Sequence, residues 1–290
     1  MRKVFAPLEF QAQCEEFRAS GKSVGLVPTM GALHRGHAVL IEEAARRADV
    51  VAVTVFVNPT QFGPSEDFAK YPRTLDADVE LAQAAGASVV FAPSAEAMYP
   101  QGDETRVKLS LLPRYLCGEV RPTHFEGVST VVAKLFSLAG RSVACFGRKD
   151  YQQLKLIERM ATDLFFPVTV VGVPTVREED GLAMSSRNRY LSPENRARAR
   201  AIPLALDRAV ASFARGERNV ERLRAVALDA VASEVDSVDY VTLADSQSIE
   251  PLQGEVQERA LLALAVRLGG ARLIDNVVLG EEGSPLRGVS

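Results

Sequence analysis

Residues 23–48 read SVGLVPTMGALHRGHAVLIEEAARRA, and three kinds of local order follow one another in them. Ser23 to Pro28 is a short apolar run of strand length. PTMGALHRGH, Pro28 to His37, interrupts it with glycines and imidazoles, and from His37 onward the apolar residues recur at helical spacing. A buried strand passing through a tight turn into a helix is the repeating half of a parallel α/β sheet.

The same rhythm continues outward from that stretch. Apolar, valine-rich runs occur at VVAVTVFV from Val50, SVVFAP from Ser88, SVACFG from Ser142 and VTVVGVP from Val168. Between them, LDADVELAQAAG from Leu75, GVSTVVAKLFSLAG from Gly127 and DYQQLKLIERMATDL from Asp150 carry helical periodicity. Strands alternating with helices predict right-handed βαβ units and a doubly wound α/β sheet with helices on both faces. In such sheets ligands sit outside the carboxyl ends of the strands, so the residues just after those ends are where chemistry is expected.

After Pro174 the pattern changes. Two helical stretches (about residues 193–214 and 219–234) precede strand-like SVDYVTLAD from Ser237 and ALLALAVRLGGARLIDNVVL from Ala260. This predicts an N-terminal domain of residues 1–175 and a smaller C-terminal α+β domain of residues 176–290. The irregular segments Asn58 to Thr74 and Leu111 to Glu126 exceed the usual ~4–6-residue connection, which marks them as candidate binding loops or lids.

The charge balance, 34 Lys+Arg against 37 Asp+Glu for a net charge of -3, offers no basic field for nucleic acid. Three scattered cysteines without CxxC spacing predict neither a disulfide framework nor a zinc cage and suit a reducing cytoplasm. No apolar run reaches the ~18–20 residues of a membrane span. Neither a GxSxG elbow nor a GxxxxGK[ST] phosphate loop occurs, so nucleotide binding has to rest on another kind of site.

The histidine turn is the best candidate. His34 and His37, three residues apart, fall at a strand end where a helix begins. A helix N-terminus offers unpaired backbone N–H groups and partial positive charge to a phosphate. Two imidazoles could add donors without a fixed charge, although HxGH alone equally fits helix-capping residues. VNPTQF brings the amides Asn58 and Gln61 to the next strand end, where uncharged donors and acceptors suit hydroxyls and a carboxylate. Asp76 and Asp78 open a helix, where acidic residues serve the dipole or, less commonly, hold Mg²⁺ with substrate phosphates. RPTHFEGV places Arg121 and His124 before another helix, and FGRKDYQQ places Lys149, Asp150 and Gln153 after a strand. In AMSSRN, the hydroxyls of Ser185 and Ser186 and the guanidinium of Arg187 could clamp a polyphosphate.

Taken in order, PTMGALHRGH, VNPTQF, YPRTL, LCGEVRPTHFEGV, ACFGRKDYQQL and VPTVREEDGLAMSSRNRYLSP resemble the pantothenate synthetase family along almost the whole chain. HxGH alone marks only the wider nucleotidyltransferase superfamily; six strings in sequence are far more specific. Arg148 departs from the FGEKD usual at that point and adds a positive charge beside Lys149.

The resemblance implies a Rossmann-like N-terminal domain binding nucleotide and pantoate, and a C-terminal domain covering the active site. It also implies ATP with Mg²⁺, pantoate and β-alanine as small-molecule ligands, a homodimer, and an AMP-forming ligase making pantothenate, a coenzyme A precursor. Carried over by motif, Met30, Gln61 and Gln153 would hold pantoate. His34, His37, Lys149, Ser185, Ser186 and Arg187 would hold the phosphates, with His34, His37 and Lys149 carrying catalysis. Met30, Gly147, Asp150, Val176 and Met184 would line the rest of the ATP site, and Asp78 is the candidate metal ligand. The competing expectations are an adenylyltransferase acting on a phosphorylated acceptor, which would need further cations, and a non-catalytic nucleotide-binding module.

Overall fold

A computed structural model describes residues 1–64 and 66–286. Among them, two compact units are distinguished. The first comprises Met1–Ser110, Arg121–Arg148 and Gln153–Pro174; the second comprises Leu111–Val120, Lys149–Gln152 and the described residues from Thr175 onward.

In the first unit, β1 (Arg2–Val4), β2 (Val24–Thr29), β3 (Val50–Val55), β4 (Val89–Phe91), β5 (Ser142–Gly147) and β6 (Val168–Val173) form a parallel sheet in the order β1-β4-β3-β2-β5-β6. Strands covered by helices on both faces must be apolar throughout rather than alternating. That is why β3 is the unbroken run VVAVTV, whose first five residues are buried. A core of Val27, Ile41, Val51, Val53, Ala82 and Val90 links β2, β3 and β4 to the helices Arg35–Arg47 and Leu75–Ala84. From β2 the chain moves one way to β3 and β4, and later enters the other side of β2 at β5. The carboxyl ends of β2 and β5 therefore flank a topological switch point, the usual place for a ligand crevice. The turn after β2 is the histidine turn.

Five of the six strands match the valine-rich runs. Arg2–Val4 escaped because, unlike the equally short but fully buried VVF of β4, its sequence RKV offers one buried apolar residue.

The second unit carries the antiparallel sheet β7 (Ser237–Ala244), β8 (Ala260–Leu268) and β9 (Ala271–Leu279). Its core joins Leu206, Leu223, Leu243, Leu262, Leu264 and Val277 from the sheet and the helices Ala201–Ala214 and Val220–Val231. The apolar stretch from Ala260 is thus a two-residue hairpin, with Leu268 paired to Ala271. The helix expected over 193–214 is split into Pro193–Arg198 and Ala201–Ala214. Pro203 explains the break: it has no N–H for the carbonyl of Ala199 four residues back, and its ring crowds that carbonyl.

Two excursions from the N-terminal part of the sequence pack with this unit, which a single cut near residue 175 does not capture. Gln152 ties them together: its Nε2 donates to the carbonyls of Leu112 and Tyr115, both at 2.8 Å, and its Oε1 accepts from Cys117 N at 3.1 Å. Tyr151 donates to Ser246 O (3.1 Å), and Asn276 donates to Lys149 O (2.8 Å). Among the described residues no helix is long and apolar enough to cross a membrane.

Candidate active site

The N–H groups of Gly31 to Leu33 in the turn after β2 are all taken up, two of them by a residue of the helix Leu75–Ala84. Gly31 N donates to Thr29 Oγ1 (3.1 Å), Ala32 N to Asp78 Oδ2 (3.1 Å) and Leu33 N to Asp78 Oδ1 (2.7 Å). His34 is the N-cap of the helix Arg35–Arg47, and its Nδ1 accepts from Gly36 N at 3.1 Å. His37, at the third helical position, returns the contact: its Nδ1 accepts from His34 N at 3.2 Å. This is a capping box built from two imidazoles in place of the usual Ser/Thr and Glu/Gln, and the rings lie 4.1 Å apart.

The arrangement corrects one expectation and refines another. The N–H groups of His34 and Gly36 go to imidazoles, so they are not the phosphate donors expected of an uncapped helix start. Because each Nδ1 accepts a hydrogen bond, each ring carries its proton on Nε2. Capping and phosphate donation, posed above as alternatives, are therefore compatible in the same two side chains.

Asp78 is committed to this turn. It is 2% exposed, and both carboxylate oxygens accept backbone N–H groups, with Thr74 Oγ1 adding a third donor at 3.2 Å. It does not cap its own helix. Among the described residues no cluster of three or more His, Cys, Asp or Glu could hold a metal ion.

After β3, the amides of VNPTQF form a network whose orientation can be deduced. Backbone groups are unambiguous: Thr60 N donates to Asn58 Oδ1 (3.3 Å), and Asn58 Nδ2 donates to Gly127 O (3.1 Å). With Asn58 fixed, its Nδ2 also donates to Gln61 Oε1 at 3.1 Å, so Gln61 turns its Nε2 away as a donor. That Nε2 meets Met30 Sδ at 3.1 Å, which brings together two residues expected to touch pantoate. Tyr99 OH donates to Asn58 Oδ1 at 2.8 Å, and burial raises the phenol's pKa above its ordinary value, keeping it a donor.

The backbone of this loop is clasped from further along the chain. Gln61 O accepts from Arg121 (3.2 Å) and from His124 Nδ1 (2.9 Å), so His124 carries a proton on Nδ1. Arg121 also pairs with Glu66 through Nε at 2.5 Å and Nη2 at 2.6 Å. Burial alone would raise the Glu66 pKa, but the Arg121 hydrogen bonds, the Gly63 N–H and the charges of Arg121 and His124 hold it below the ordinary value. Gly127 completes the clasp: a Cβ there would stand 2.3 Å from Thr60 O, so only glycine permits the approach. Tyr99 and Gly127 gave no functional signal in the sequence beyond a glycine inside a helical pattern.

Gln153, half-buried, lies in the first turns of the helix Tyr151–Asp163, which follows β5 and Gly147.

In the second unit, several expected ATP residues are braced by β9. The Lys149 carbonyl is held by Asn276 as above, and Lys149 Nζ lies 3.6 Å from Asp150 Oδ1. Val176 O accepts from Met184 N (2.9 Å), and Ser185 caps the short 3-10 turn Ser186–Tyr190, which presents Ser186 and Arg187. Arg177 anchors this segment to Asp275, whose side chain is fully buried, through contacts of 2.7 and 3.1 Å.

Comparison with known proteins shows the family to which the chain belongs. Residues 3–278 match the family model described as pantoate-beta-alanine ligase. The chain is 50% identical over 284 residues to the pantothenate synthetase of Geobacter sulfurreducens, covering 97% of this chain and all of that protein. A crystal structure of pantothenate synthetase from Thermus thermophilus superposes with a TM-score of 0.89 at 46% identity, covering 96% of this chain and 99% of the other. The pantoate-beta-alanine ligase of Francisella tularensis, complexed with beta-gamma ATP and beta-alanine, matches with a TM-score of 0.78 at 32% identity, covering 98% of this chain and 99% of the other.

Proposed function

Because this chain belongs to the pantoate–β-alanine ligase family, we propose that its ATP-dependent joining of pantoate to β-alanine runs through a pantoyl-adenylate, with pyrophosphate and then AMP leaving. The observation that carries the reading is the His34–His37 capping box, which fixes two neutral Nε2–H donors at the end of β2.

The pantoate carboxylate attacks the α-phosphorus, one of its oxygens forming the new P–O bond while the bond to pyrophosphate breaks. The amine of β-alanine then attacks the activated carboxyl carbon and AMP departs with the former carboxylate oxygen. No protein nucleophile is needed, so the protein's part is to orient the reactants and stabilise charge on the phosphoryl oxygens.

We assign that stabilisation to His34, His37, Lys149, Ser185, Ser186 and Arg187. Gly147, Asp150, Val176, Met184 and Met30 complete the ATP contacts. Gln61 donates to an oxygen of pantoate, with Met30 beside it and Gln153 as the second amide. The division into residues 1–175 as the nucleotide- and pantoate-binding part and 176–290 as a smaller part covering the active site belongs to the same proposal.

Mg²⁺ enters with the ATP phosphates. The donor set offers it no protein cage, Asp78 being committed to backbone N–H groups, and no step is routed through it. A cytoplasmic homodimer completes the proposal, testable by light scattering. An adenylyltransferase acting on a phosphorylated acceptor fits less well, because such an acceptor would need added cations, whereas Gln61 and Gln153 supply uncharged amides and the nearby Arg121 is paired with Glu66.

Incubation with ATP, Mg²⁺, pantoate and β-alanine, with products identified by mass, should give AMP, pyrophosphate and pantothenate. ADP and inorganic phosphate would overturn the adenylate route.

A further inference from the structure

We infer that Asp78 is a positioning residue for the phosphate turn: its carboxylate holds Gly31 to Leu33 in place and so aims His34 and His37, and it does not bind the cation that accompanies ATP. The inference rests on the assignment of those histidines to the phosphates.

The turn has a conformation that its own residues do not favour. Gly31 has φ +85° and Ala32 has φ +50°, two consecutive residues in the left-handed region. For alanine this is uncommon, and such a residue persists only where its surroundings hold it. Successive N–H groups in a turn of this kind converge on a concavity that attracts anions. Here the anion is internal. Asp78 fills the concavity with both oxygens, on Ala32 N at 3.1 Å and Leu33 N at 2.7 Å. A substitute at Gly31 would be strained by its positive φ and would crowd the clamp, its Cβ lying 3.0 Å from Asp78 Oδ2 and 3.1 Å from Val55 Cγ1.

The same contacts argue against a metal role. The oxygens already face the positive ends of two N–H dipoles and a hydroxyl, and a cation brought to those lone pairs would be repelled by those donors. At 2% exposure the carboxylate also offers little surface from which to reach a solvated metal–phosphate complex. Its effect passes through the chain instead. Leu33 is the residue before His34, whose extended N-cap conformation opens the capping box.

Asp78→Asn tests this because it keeps the volume but not the chemistry. An amide can accept from only one of the two N–H groups and must present an NH₂ to the other. In the full-length protein, hydrogen–deuterium exchange should speed up in a peptide covering residues 31–37. Pyrophosphate release at saturating ATP and pantoate should fall by about 10- to 100-fold, the scale expected for reacting groups misplaced by roughly 1 Å. The Mg²⁺ concentration for half-maximal rate should stay within about 2-fold.

A several-fold rise in that Mg²⁺ midpoint, with the rate recovered at high Mg²⁺, would make Asp78 a metal ligand and overturn the inference. Wild-type exchange and wild-type rate in a folded variant would overturn it as well. If Asp78→Asn does not fold, Thr74→Val, which removes only the hydroxyl donor, should raise exchange in the same peptide more mildly; unchanged exchange there would count against the clamp. Failure of the proposed function is separable: wild-type protein would then release no pyrophosphate with pantoate, while exchange at residues 31–37 would still report on the clamp.

Discussion

The histidine turn and the Gln61 loop sit at neighbouring strand ends, yet they are held in place by different means. In the turn, the two side chains assigned to chemistry also make the structure, the His37 imidazole capping the N–H of His34 and the His34 imidazole capping that of Gly36. In the loop, Gln61 is set by residues distant in sequence: Tyr99 through Asn58, Gly127 by its missing side chain, and Arg121 and His124 through the backbone. The histidine pair places chemistry and cap at the same positions, although the residues leading into it are held from a distance by Asp78. A remotely wired site spreads the scaffold over residues that touch no substrate.

The sharpest way to break this contrast is at the turn. His34→Ala and His37→Ala should each slow pyrophosphate release by about 100- to 1,000-fold, or ~2.7–4 kcal/mol, the typical cost of one donor to developing charge. Each should also lower stability by ~1 kcal/mol through the lost cap. A coupled pyrophosphate assay beside a denaturant melt reads both. If the rate fell with no change in stability, the caps would contribute nothing and chemistry and cap would not share the same two residues.

Gly127→Ala should give the next largest effect. A Cβ at 2.3 Å from Thr60 O forces the loop to move, at a cost of ~1–3 kcal/mol in stability by the usual measure of overpacking. Pantoate affinity should fall more than affinity for a non-hydrolysable ATP analogue. Equal losses in the two titrations would mean that the loop is not a separate region.

Gln61→Ala and Gln153→Ala should each weaken pantoate binding by ~1–3 kcal/mol. Tyr99→Phe should produce a smaller shift of the same kind, on the order of 1 kcal/mol or roughly 5-fold, by removing one hydrogen bond. Pantoate saturation kinetics on the folded variants decide the order. A Tyr99→Phe effect as large as that of Gln61→Ala would place Tyr99 against the substrate itself.

The smallest effect concerns pH. Glu66 has a depressed pKa in the folded protein, with Arg121 as its partner. Its contribution is therefore complete above the unfolded value and is lost as pH falls through the lower folded one. With both side chains partly solvated, that contribution is at most ~1 kcal/mol. Glu66→Gln should flatten this acid-side decline in melts taken below neutral pH and leave stability at pH 7 only slightly reduced.

The two regions also differ in how far they could be read beforehand. PTMGALHRGH announces itself because strand, turn and caps lie within one short string, and the parallel strands do so because burial on both faces leaves long apolar runs. The second amide loop was recognisable as a loop with Asn58 and Gln61 at its mouth. Its bracing was not: Tyr99 and Gly127 meet it across 41 and 69 positions, and no local periodicity records such a meeting. The contacts of Asp78 are illegible in the sequence for the same reason. An acidic residue in a first helical turn has two ordinary uses, and only the fold reveals that the loop 46 positions earlier supplies its partners.

That span has a consequence for the order in which the enzyme takes shape. The box between His34 and His37 closes a very short loop and can form as soon as its helix does, whereas contacts at high sequence separation form against a larger entropic barrier. The turn acquires its final form only after β3 has paired with β2 and the helix opening at Leu75 has docked. A folding intermediate with an intact histidine helix would thus hold its imidazoles in register with each other but not yet in register with the sheet, and ATP turnover would be among the last properties to return on refolding.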